Sequence, residues 1–426
     1  MPKKYIDQSP VKDRCGVLHI ELPDAGGPDV FARVPENRLE EAVNLTLAMG
    51  VDVAYTEIVS LHTITPKYLI GGGKVEELKE VVAEQKLAVI MVNAELSPRQ
   101  QRNLEVALKC KIIDRTGLIL EIFADRARTK AGKLQVELAQ LTYQQSRLVR
   151  TWTHLERQRG GLGKTGGPGE RQIELDRRMI RDRIAEVKND LKKVEKERAL
   201  HRKSRQLSDM KTVALVGYTN AGKSTLFNAL VGEKTYAKDK LFATLDPLMR
   251  KLELPSGRKV VLADTVGFVS DLPHDLIKAF HATLEEVVLA DLLVHVHDAS
   301  SPEALDQEQD VLDVLKTIHA DKIPCLDVAN KVDRLPTGME PLSVGIPVSA
   351  LEGHGIAAVL GAIDGILADQ EVELDVRLSA AEGKKLAWLH EHGEILNKQL
   401  KDEMWHMTVR LSDAELVEWD KMKQSG

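Results

Sequence analysis

Nine consecutive residues have the types and spacing of a loop that holds phosphate groups: Gly217, Tyr218, Thr219, Asn220, Ala221, Gly222, Lys223, Ser224 and Thr225. They match the pattern G-x-x-x-x-G-K-S, follow a β-forming run and precede a helical segment. The glycines let backbone N–H groups turn toward phosphate oxygens, Lys223 can reach the β- and γ-phosphates, and the Ser224 hydroxyl suits Mg²⁺. The pattern predicts a nucleoside triphosphate site, against the alternative of a glycine turn that only starts a helix.

Two later segments carry groups suited to the γ-phosphate and its metal ion. Thr244 lies in a polar loop, where a threonine can reach Mg²⁺ and order the loop when a triphosphate is bound. A strand-like run then ends in Asp264, whose carboxylate can hold Mg²⁺ through water, and the Gly267 N–H can sense the γ-phosphate. Lys223, Thr244 and Gly267 are therefore candidates for supporting the transition state, and the sequence identifies no general base.

A third set of residues can select the base. The Asp333 carboxylate can accept hydrogen bonds from guanine N1–H and the 2-amino group, whereas adenine lacks that donor pattern. Asn330 can support the orientation of the base, and the Lys331 stem can cover its ring. Ser349 and Ala350 end the next strand-like run, where their backbone can contact the guanine edge. The expected ligands are therefore GTP and GDP.

Four of these patterns each follow a predicted strand, in the order seen in P-loop GTPases: the phosphate loop, Asp264 to Gly267, Asn330 to Asp333, and Ser349 with Ala350. The chain resembles the translation-factor-related class of these enzymes. Such an enzyme converts GTP and water to GDP and phosphate. Phe268 stands where many of them place a glutamine that orients the attacking water. Because an aromatic ring cannot hydrogen-bond that water, we expect slow hydrolysis by the isolated protein and acceleration by a partner.

Asn220 leaves two interpretations open. It matches the loop asparagine that some GTPases of this kind use to coordinate K⁺, an ion that stabilises transition-state charge where an arginine finger is absent. The alternative is an asparagine that only faces solvent. Comparing hydrolysis rates in K⁺ and Na⁺ separates the two.

The segment before the phosphate loop alternates strand-like and helical runs. Long helical crossovers separate strand-like runs at residues 17–22, 51–60, 88–92 and 112–114, which predicts a parallel sheet. Within this segment, Gly71 to Lys74 precede a helix. They are either a turn that starts that helix or a second nucleotide site, for which ATP is the candidate.

The sequence pattern changes to heptads from Gly132 to Arg205, within the segment 126–208. Leucines recur at alternating steps of three and four residues after Gly132, and a second apolar seam runs from Ile173 to Val194. Two such helices are expected to pack as an antiparallel coiled-coil hairpin. Residues 159–171 between them are too rich in glycine to continue a helix.

This hairpin is also the basic part of an acidic chain. The formal net charge of the protein is −6, yet Lys and Arg outnumber Asp and Glu more than twofold between residues 126 and 206. Such segregation indicates a polyanionic partner, and RNA is often bound by shape and phosphate contacts. The candidate RNA contacts are Arg157, Arg159, Lys164 and Arg171. The alternatives are a solvated helix face and a plain linker between two helices.

The fold class is therefore predicted as α/β and multidomain. An N-terminal parallel α/β domain (1–125) precedes the antiparallel coiled-coil helical hairpin (126–208), a P-loop GTPase domain (209–366) and a small C-terminal α/β domain (367–426). In the last, we expect strands at 371–378 and 404–411, a helix over 380–400, and a short helix from Asp413. Trp388, Trp405 and Trp419 are expected in the core or at a partner contact.

Three stretches carry a closer resemblance: Asp264 to Phe268, the Leu284-Glu285-Glu286 segment, and the run from Leu293 to Ser300. Together with the glycine-rich hairpin upstream, they resemble an HflX-type GTPase, and the resemblance extends from the α/β domain through the GTPase domain. It implies binding to the large ribosomal subunit and its RNA, and stimulation of the GTPase by the ribosome. In some members it also implies splitting or rescue of stalled ribosomes, as part of a stress response.

The rest of the sequence restricts the compartment. No apolar run approaches the ~18 residues of a membrane span, and the first residues lack the apolar core of a secretion signal. Cys15, Cys110 and Cys325 have unrelated spacings, which argues against a disulfide framework or a cysteine metal site. We expect a cytoplasmic monomer without a membrane anchor.

Other functions stay open at this point. An RNA-remodelling NTPase would also use ATP, through Gly71 to Lys74. A ribosome-assembly factor would use nucleotide only to stabilise its fold. A membrane-associated signalling switch is the weakest alternative, because no lipidation motif is present.

Overall fold

The computed structural model describes residues 14–21, 34–150, 168–206, 210–232, 242, 244–270, 281–336, 338, 341, 344–369, 371–379, 381–401 and 404–424. The chain forms two units. The first contains the described residues of Met1–Lys192, Lys238–Asp246 and Ser270–His281, and the second those of Lys193–Ala237, Pro247–Val269 and Ala282–Gly426. Two segments that follow the phosphate loop in sequence therefore belong to the first unit.

The first unit contains a sheet of four parallel strands in the order β2-β1-β3-β4. The strands are β1 (Arg14–Glu21), β2 (Asp52–Ser60), β3 (Val89–Asn93) and β4 (Lys111–Asp114). The connecting helices are α1 (Pro35–Leu47), α2 (Gly72–Gln85) and α3 (Pro98–Leu108). The parallel sheet expected from the long crossovers is confirmed.

Helix α4 (Arg115–Arg126) follows β4 without a loop. The Asp114 side chain ends the strand and caps the helix by accepting from the Gly117 N–H at 2.8 Å. Leu118, Ile119 and Leu120 are consecutive and all buried. Burial on several sides removes the amphipathic period by which a surface helix is recognised, and so the sequence pattern does not indicate α4.

The hairpin consists of α5 (Lys130–Arg150) and α6 (Pro168–Gln206). Arg183 on α6 donates from Nε to Glu137 Oε1 on α5 at 2.7 Å. The expected α5 seam is only half-buried at Leu134 and Leu138, whereas Val136 and Ala139 are buried.

Leu134 and Leu138 are only half-buried because α5 has a second apolar face, which packs on α3 and α4. The phenol of Tyr143 on this face donates to Asp114 Oδ1 at 2.6 Å. The predicted RNA contacts Arg157, Arg159 and Lys164 lie outside the described residues, and so does the side chain of Arg171.

The second unit contains a six-stranded sheet in the order β10-β9-β8-β5-β7-β6. The strands are β5 (Thr212–Val216), β6 (Leu248–Glu253), β7 (Lys259–Asp264), β8 (Leu292–Asp298), β9 (Cys325–Asn330) and β10 (Ile346–Val348). The associated helices are α7 (Lys223–Val231), α8 (His281–Val288), α9 (Ala304–Thr317) and α10 (Ile356–Asp369). All strand pairs are parallel except β6 with β7. The carboxyl ends of the five parallel strands therefore share one edge, where α/β proteins bind ligands.

A three-stranded antiparallel sheet ends the chain, in the order β11-β13-β12. Its strands are β11 (Glu371–Ser379), β12 (Glu394–Lys401) and β13 (Met404–Ser412), with helices α11 (Gly383–His392) and α12 (Asp413–Gln424). The helix predicted over 380–400 is wrong in its second half, which is strand β12. Pairing with β13 outweighs local helix propensity there. Trp388 stacks on the fully buried Trp419, with ring centroids 5.7 Å apart.

Among the described residues, no helix combines the length and the apolar character needed to cross a membrane.

Candidate nucleotide-binding site

The phosphate loop joins β5 to α7 and requires glycine at two positions. Gly217 has a φ of 149°, and a Cβ atom there would lie 2.3 Å from the Val296 carbonyl oxygen. Gly222 caps α7 with a φ of 95°, and a Cβ atom there would lie 2.2 Å from Asn330 Nδ2. Asn220 is also left-handed, with a φ of 61°. The two glycines are therefore required by close approach as well as by backbone angle.

Lys223 begins helix α7 and turns back over the loop. Its Nζ atom donates to the carbonyl oxygens of Gly217 and Tyr218 at 3.0 and 2.8 Å. Burial lowers the pKa of this ammonium to about 8; the Asp264 carboxylate opposes that shift and Lys331 adds to it. The loop thus holds a desolvated positive charge, which an anionic ligand would stabilise.

Two of the three side chains predicted for Mg²⁺ come together, one on α7 and one at the end of β7. The Ser224 hydroxyl donates to Asp264 Oδ2 at 2.7 Å, and Asp264 is 1% exposed. A hydroxyl beside a carboxylate offers the hard oxygen ligands that Mg²⁺ prefers, so these residues fit that metal ion. A Cβ atom on Gly267 would lie 3.0 Å from Lys223 Nζ. Glycine at this position therefore keeps the backbone open beside the ammonium.

Phe268 connects the segment after β7 to the phosphate loop. Its N–H donates to Gly217 O at 3.1 Å, and its carbonyl accepts from the Thr219 N–H at 2.6 Å. The ring is 1% exposed. The backbone of this residue is therefore structural, and its buried side chain has no group that can orient water.

The residues predicted for base selection follow β9 and β10. Asn330 is buried, donates from Nδ2 to Ala221 O at 2.9 Å, and accepts at Oδ1 from the Ala350 N–H at 3.0 Å. One amide thus ties the phosphate loop to the segment after β10. Ser349 is fully buried, whereas Asp333 is exposed in the turn Val332–Arg334.

Asp298 is a site residue whose role the sequence pattern did not reveal. Its Oδ2 atom accepts from Lys331 Nζ at 2.6 Å, and its Oδ1 atom accepts from the Ser300 hydroxyl at 2.6 Å. It ends β8, next to β9 in the sheet. An acid at the end of a central parallel strand was the available signal, because such ends share the ligand-binding edge.

Thr244 belongs to the first unit, where Asp246 holds its segment. Asp246 Oδ2 accepts from the N–H groups of Arg128 and Thr129 at 2.9 and 2.8 Å, and Oδ1 accepts from the Thr129 hydroxyl. A Cβ atom on Gly132 would lie 2.3 Å from Asp246 Oδ1. The carboxylate therefore sits at the start of α5, where free N–H groups and the helix dipole favour an anion.

A second contact in this unit holds Ser270, three residues after Gly267. Arg115, only 6% exposed, donates to the Ser270 carbonyl and hydroxyl oxygens at 2.9 and 2.7 Å. The same guanidinium donates to Glu41 Oε2 at 3.0 Å and to Asn93 Oδ1 at 2.7 Å. No motif marks these residues, so the sequence pattern did not indicate them.

The glycine run at the start of α2 has a different charge environment from the phosphate loop. Lys74 Nζ donates to Glu77 Oε2 at 2.9 Å and to Glu57 Oε1. Two carboxylates already neutralise this ammonium and place negative charge at the start of the helix. This arrangement disfavours a phosphate group there.

Comparison with known proteins gives matches along most of the chain. Family profiles match residues 36–124 (GTP-binding GTPase N-terminal), 126–205 (GTP-binding GTPase Middle Region) and 212–331 (50S ribosome-binding GTPase). The GTPase HflX of Magnetococcus marinus is 48% identical over 91% of both chains. The GTPase HflX of Escherichia coli is 44% identical over 90% of this chain and 91% of its own.

The chain belongs to the HflX family of GTPases. Members of this family share both the GTPase domain and the two preceding regions with the chain. Among solved structures, the chain matches the SsGBP and GDP complex at 24% identity and a TM-score of 0.47, over 84% of this chain and 99% of that chain.

Proposed function

We propose that the protein is a GTP-hydrolysing switch that binds the large ribosomal subunit, is stimulated by it, and splits or rescues stalled ribosomes. We infer that it acts as a cytoplasmic monomer. The observation that carries the proposal is the Asp246 carboxylate at the start of α5. Thr244, which we assign to Mg²⁺ and the γ-phosphate, lies two residues before it. Ordering of Thr244 by GTP would therefore act directly on the first helix of the hairpin.

Family membership supports the ribosomal partner. The profile that matches residues 212–331 describes 50S ribosome-binding GTPases, and the two relatives described above are GTPases. The strongly basic hairpin supports contact with RNA, and Arg157, Arg159, Lys164 and Arg171 remain our proposed contacts. Because such contacts release counterions, binding should weaken with salt.

At the nucleotide site, we propose that Lys223 and the N–H groups of the loop bind the β- and γ-phosphates. Ser224, Thr244 and Asp264, the last through water, would hold Mg²⁺, which neutralises charge on the phosphates when bound. Asp333 would select guanine, and Asn330 would position the segment after β10. The proposal includes no general base, because Phe268 offers none.

The missing water-orienting group is the reason that we propose a slow intrinsic reaction. Hydrolysis by the purified protein should accelerate when large subunits are added, because the subunit completes or orders the site. Equal rates with and without subunits would refute this part. A higher rate in K⁺ than in Na⁺ would support Asn220 as a ligand of K⁺, and equal rates would leave it as a loop asparagine.

The main test is co-sedimentation with separated large and small subunits, in a GTP analogue, GDP or no nucleotide, at several salt concentrations. We expect tight binding to the large subunit only with the analogue. Asp246→Asn should reduce the difference between analogue and GDP. Asp364→Asn is the matched control, because Asp364 makes similar contacts with the Ser256 N–H and hydroxyl, at 2.8 and 2.7 Å, in the second unit.

Weak binding that ignores nucleotide and disappears with salt would contradict the switch. A Lys223→Ala variant that keeps its ribosomal function would instead favour the assembly-factor alternative. Ribosome splitting is tested separately, by following intact ribosomes in density gradients with the protein and GTP. If the amount of intact ribosomes does not fall, splitting is excluded from the proposal, whereas subunit binding is unaffected.

A further inference from the structure

A polar cluster on the sheet of the second unit contains none of the residues assigned to nucleotide binding. His295 and His297 alternate along β8, so their side chains lie on the same face, and Asp327 pairs with His295 on the adjacent strand β9. His297 Nε2 lies 3.0 Å from Asp327 Oδ1, and His295 Nδ1 lies 3.4 Å from the same oxygen. Three potential ligand atoms thus converge within 4.8 Å of one another.

The burial of this cluster needs an explanation. Each histidine side chain is 2% exposed, on a strand whose other face carries the fully buried Val294 and Val296. Two imidazoles in such an environment cost free energy unless their polar atoms are used. Both rings point a nitrogen at one oxygen of the same carboxylate. That carboxylate is 41% exposed, which provides a route from solvent.

The distances also suit a metal ion. Ligand atoms bound ~2.0–2.1 Å from a tetrahedral Zn²⁺ are separated by roughly 3.3 Å. The Asp327 oxygen lies 3.0 and 3.4 Å from the His297 and His295 nitrogens, on either side of this value, and all three ligand atoms lie within 4.8 Å of one another. In addition, His297 Nδ1 faces Glu308 Oε2 at 3.8 Å. A carboxylate behind the second ring nitrogen is typical of metal-binding histidines, because it orients the ring.

We propose that His295, His297 and Asp327 bind one divalent transition-metal ion, with Zn²⁺ preferred, at a site separate from the GTP and Mg²⁺ ligands. Two imidazoles and one carboxylate favour Zn²⁺ and its neighbours over Mg²⁺, which requires oxygen ligands. The ion joins β8 to β9 just before both strands reach the nucleotide site, at Asp298 and Asn330. Its expected effect is to stabilise this part of the sheet.

The test uses the full-length protein after removal of metals with a chelator, with GDP and excess Mg²⁺ present to fill the nucleotide site. Co²⁺ serves as the probe, because its visible absorption reports tetrahedral coordination, and Zn²⁺ is then added to displace it. We expect one Co²⁺ per chain, displacement by Zn²⁺, and a higher Tm with Zn²⁺ bound.

Asp327→Asn keeps the size of a half-exposed side chain and should weaken Co²⁺ binding at least tenfold. Glu308→Gln leaves all three ligands intact and should weaken it by roughly tenfold through loss of ring orientation. His62→Ala, at an exposed histidine in the first unit, is the matched control and should bind like the parent. Absence of a tetrahedral Co²⁺ spectrum in the parent, or equal binding by parent and Asp327→Asn, would overturn the proposal. In either case, the cluster would be a hydrogen-bonded group only.

Discussion

The nucleotide site of the second unit and the contacts around Asp246 and Ser270 in the first unit are both polar and closely packed, yet they left different traces in the sequence. The phosphate loop is a run of neighbouring residues, two of them glycines that the backbone requires. Asp246 instead contacts Thr129, 117 positions away, and Ser270 contacts Arg115, 155 positions away. A local backbone requirement therefore produces a readable pattern, whereas a long-range contact between ordinary residues does not.

Lys223→Ala is the variant with the largest expected effect, and it tests the nucleotide site. We expect GTP affinity to fall roughly 1,000-fold, about 4 kcal/mol, because the phosphates lose a buried ammonium. The variant without nucleotide should be at least as stable as the parent, because the substitution removes a desolvated charge. Nucleotide titration and thermal unfolding measure the two effects. Lys211→Ala, at a partly exposed lysine, is the control; unchanged GTP affinity in Lys223→Ala would contradict the assignment.

The corresponding test in the first unit is Arg115→Ala. Because this buried guanidinium pairs with Glu41 and holds Ser270, its loss should reduce the free energy of unfolding by about 3 kcal/mol. Denaturant titration measures the change. Arg178→Ala is a suitable control, because Arg178 is 77% exposed and pairs with the exposed Asp182 at 3.9 Å. If both variants lose equally little stability, the contacts that the sequence failed to indicate are also energetically minor.

Base selection gives a smaller effect. Asp333→Asn should weaken GTP binding by roughly 100-fold, because the neutral amide no longer offers two acceptors to guanine. The same amide can accept from N1–H and donate to a carbonyl at position 2, so binding of the xanthine nucleotide should rise. Competition between the two nucleotides measures this change in base preference. Asp313→Asn, on the exposed face of α9, should change neither affinity.

The smallest expected effect is a pH dependence of nucleotide binding. Burial lowers the pKa of Lys223 to about 8, and bound phosphates should raise it again. Binding therefore takes up a proton when the pH exceeds 8, and affinity should fall by about tenfold between pH 8 and 9.5. The protein alone should gain stability between pH 8 and 10.5, where the unfolded lysine holds its proton and the folded one does not. Calorimetry in buffers of different ionisation enthalpy measures the uptake; zero proton uptake at pH 9 would contradict this account.

Much of the fold could be predicted from the sequence. The spacing of strand-like and helical runs predicted the parallel sheet of the first unit, because a crossover needs a long connection. Helix α4 was not predicted, since its buried residues are not confined to one face. Strand β12 was mistaken for the end of a helix because its conformation depends on pairing with β13. The second apolar face of α5 was missed for a similar reason: α3 and α4 supply its partner.

The residues of the candidate site also fall into those that a local sequence pattern predicts and those that depend on the fold. Residue types identified Lys223, Ser224 and Asp264 as one chemical group, because strand ends at one edge must converge. The pairing of Asp298 with Lys331 depends on which strand lies next to which, and this order was not evident from the sequence. Asp246 and Arg115 could not be found, since neither belongs to a local pattern. The predicted boundaries of the four domains stay a prediction.

Because Asp246 supplies the carboxylate at the start of α5, the two amides just before that helix can report on the position of Asp246. The N–H groups of Arg128 and Thr129 are protected from exchange only while Asp246 accepts from them. Their deuterium uptake would therefore follow Asp246 without any attached label. A Cβ atom at Gly132 would clash with the Asp246 carboxylate. Gly132→Ala should therefore displace that carboxylate and raise the exchange rate of these two amides.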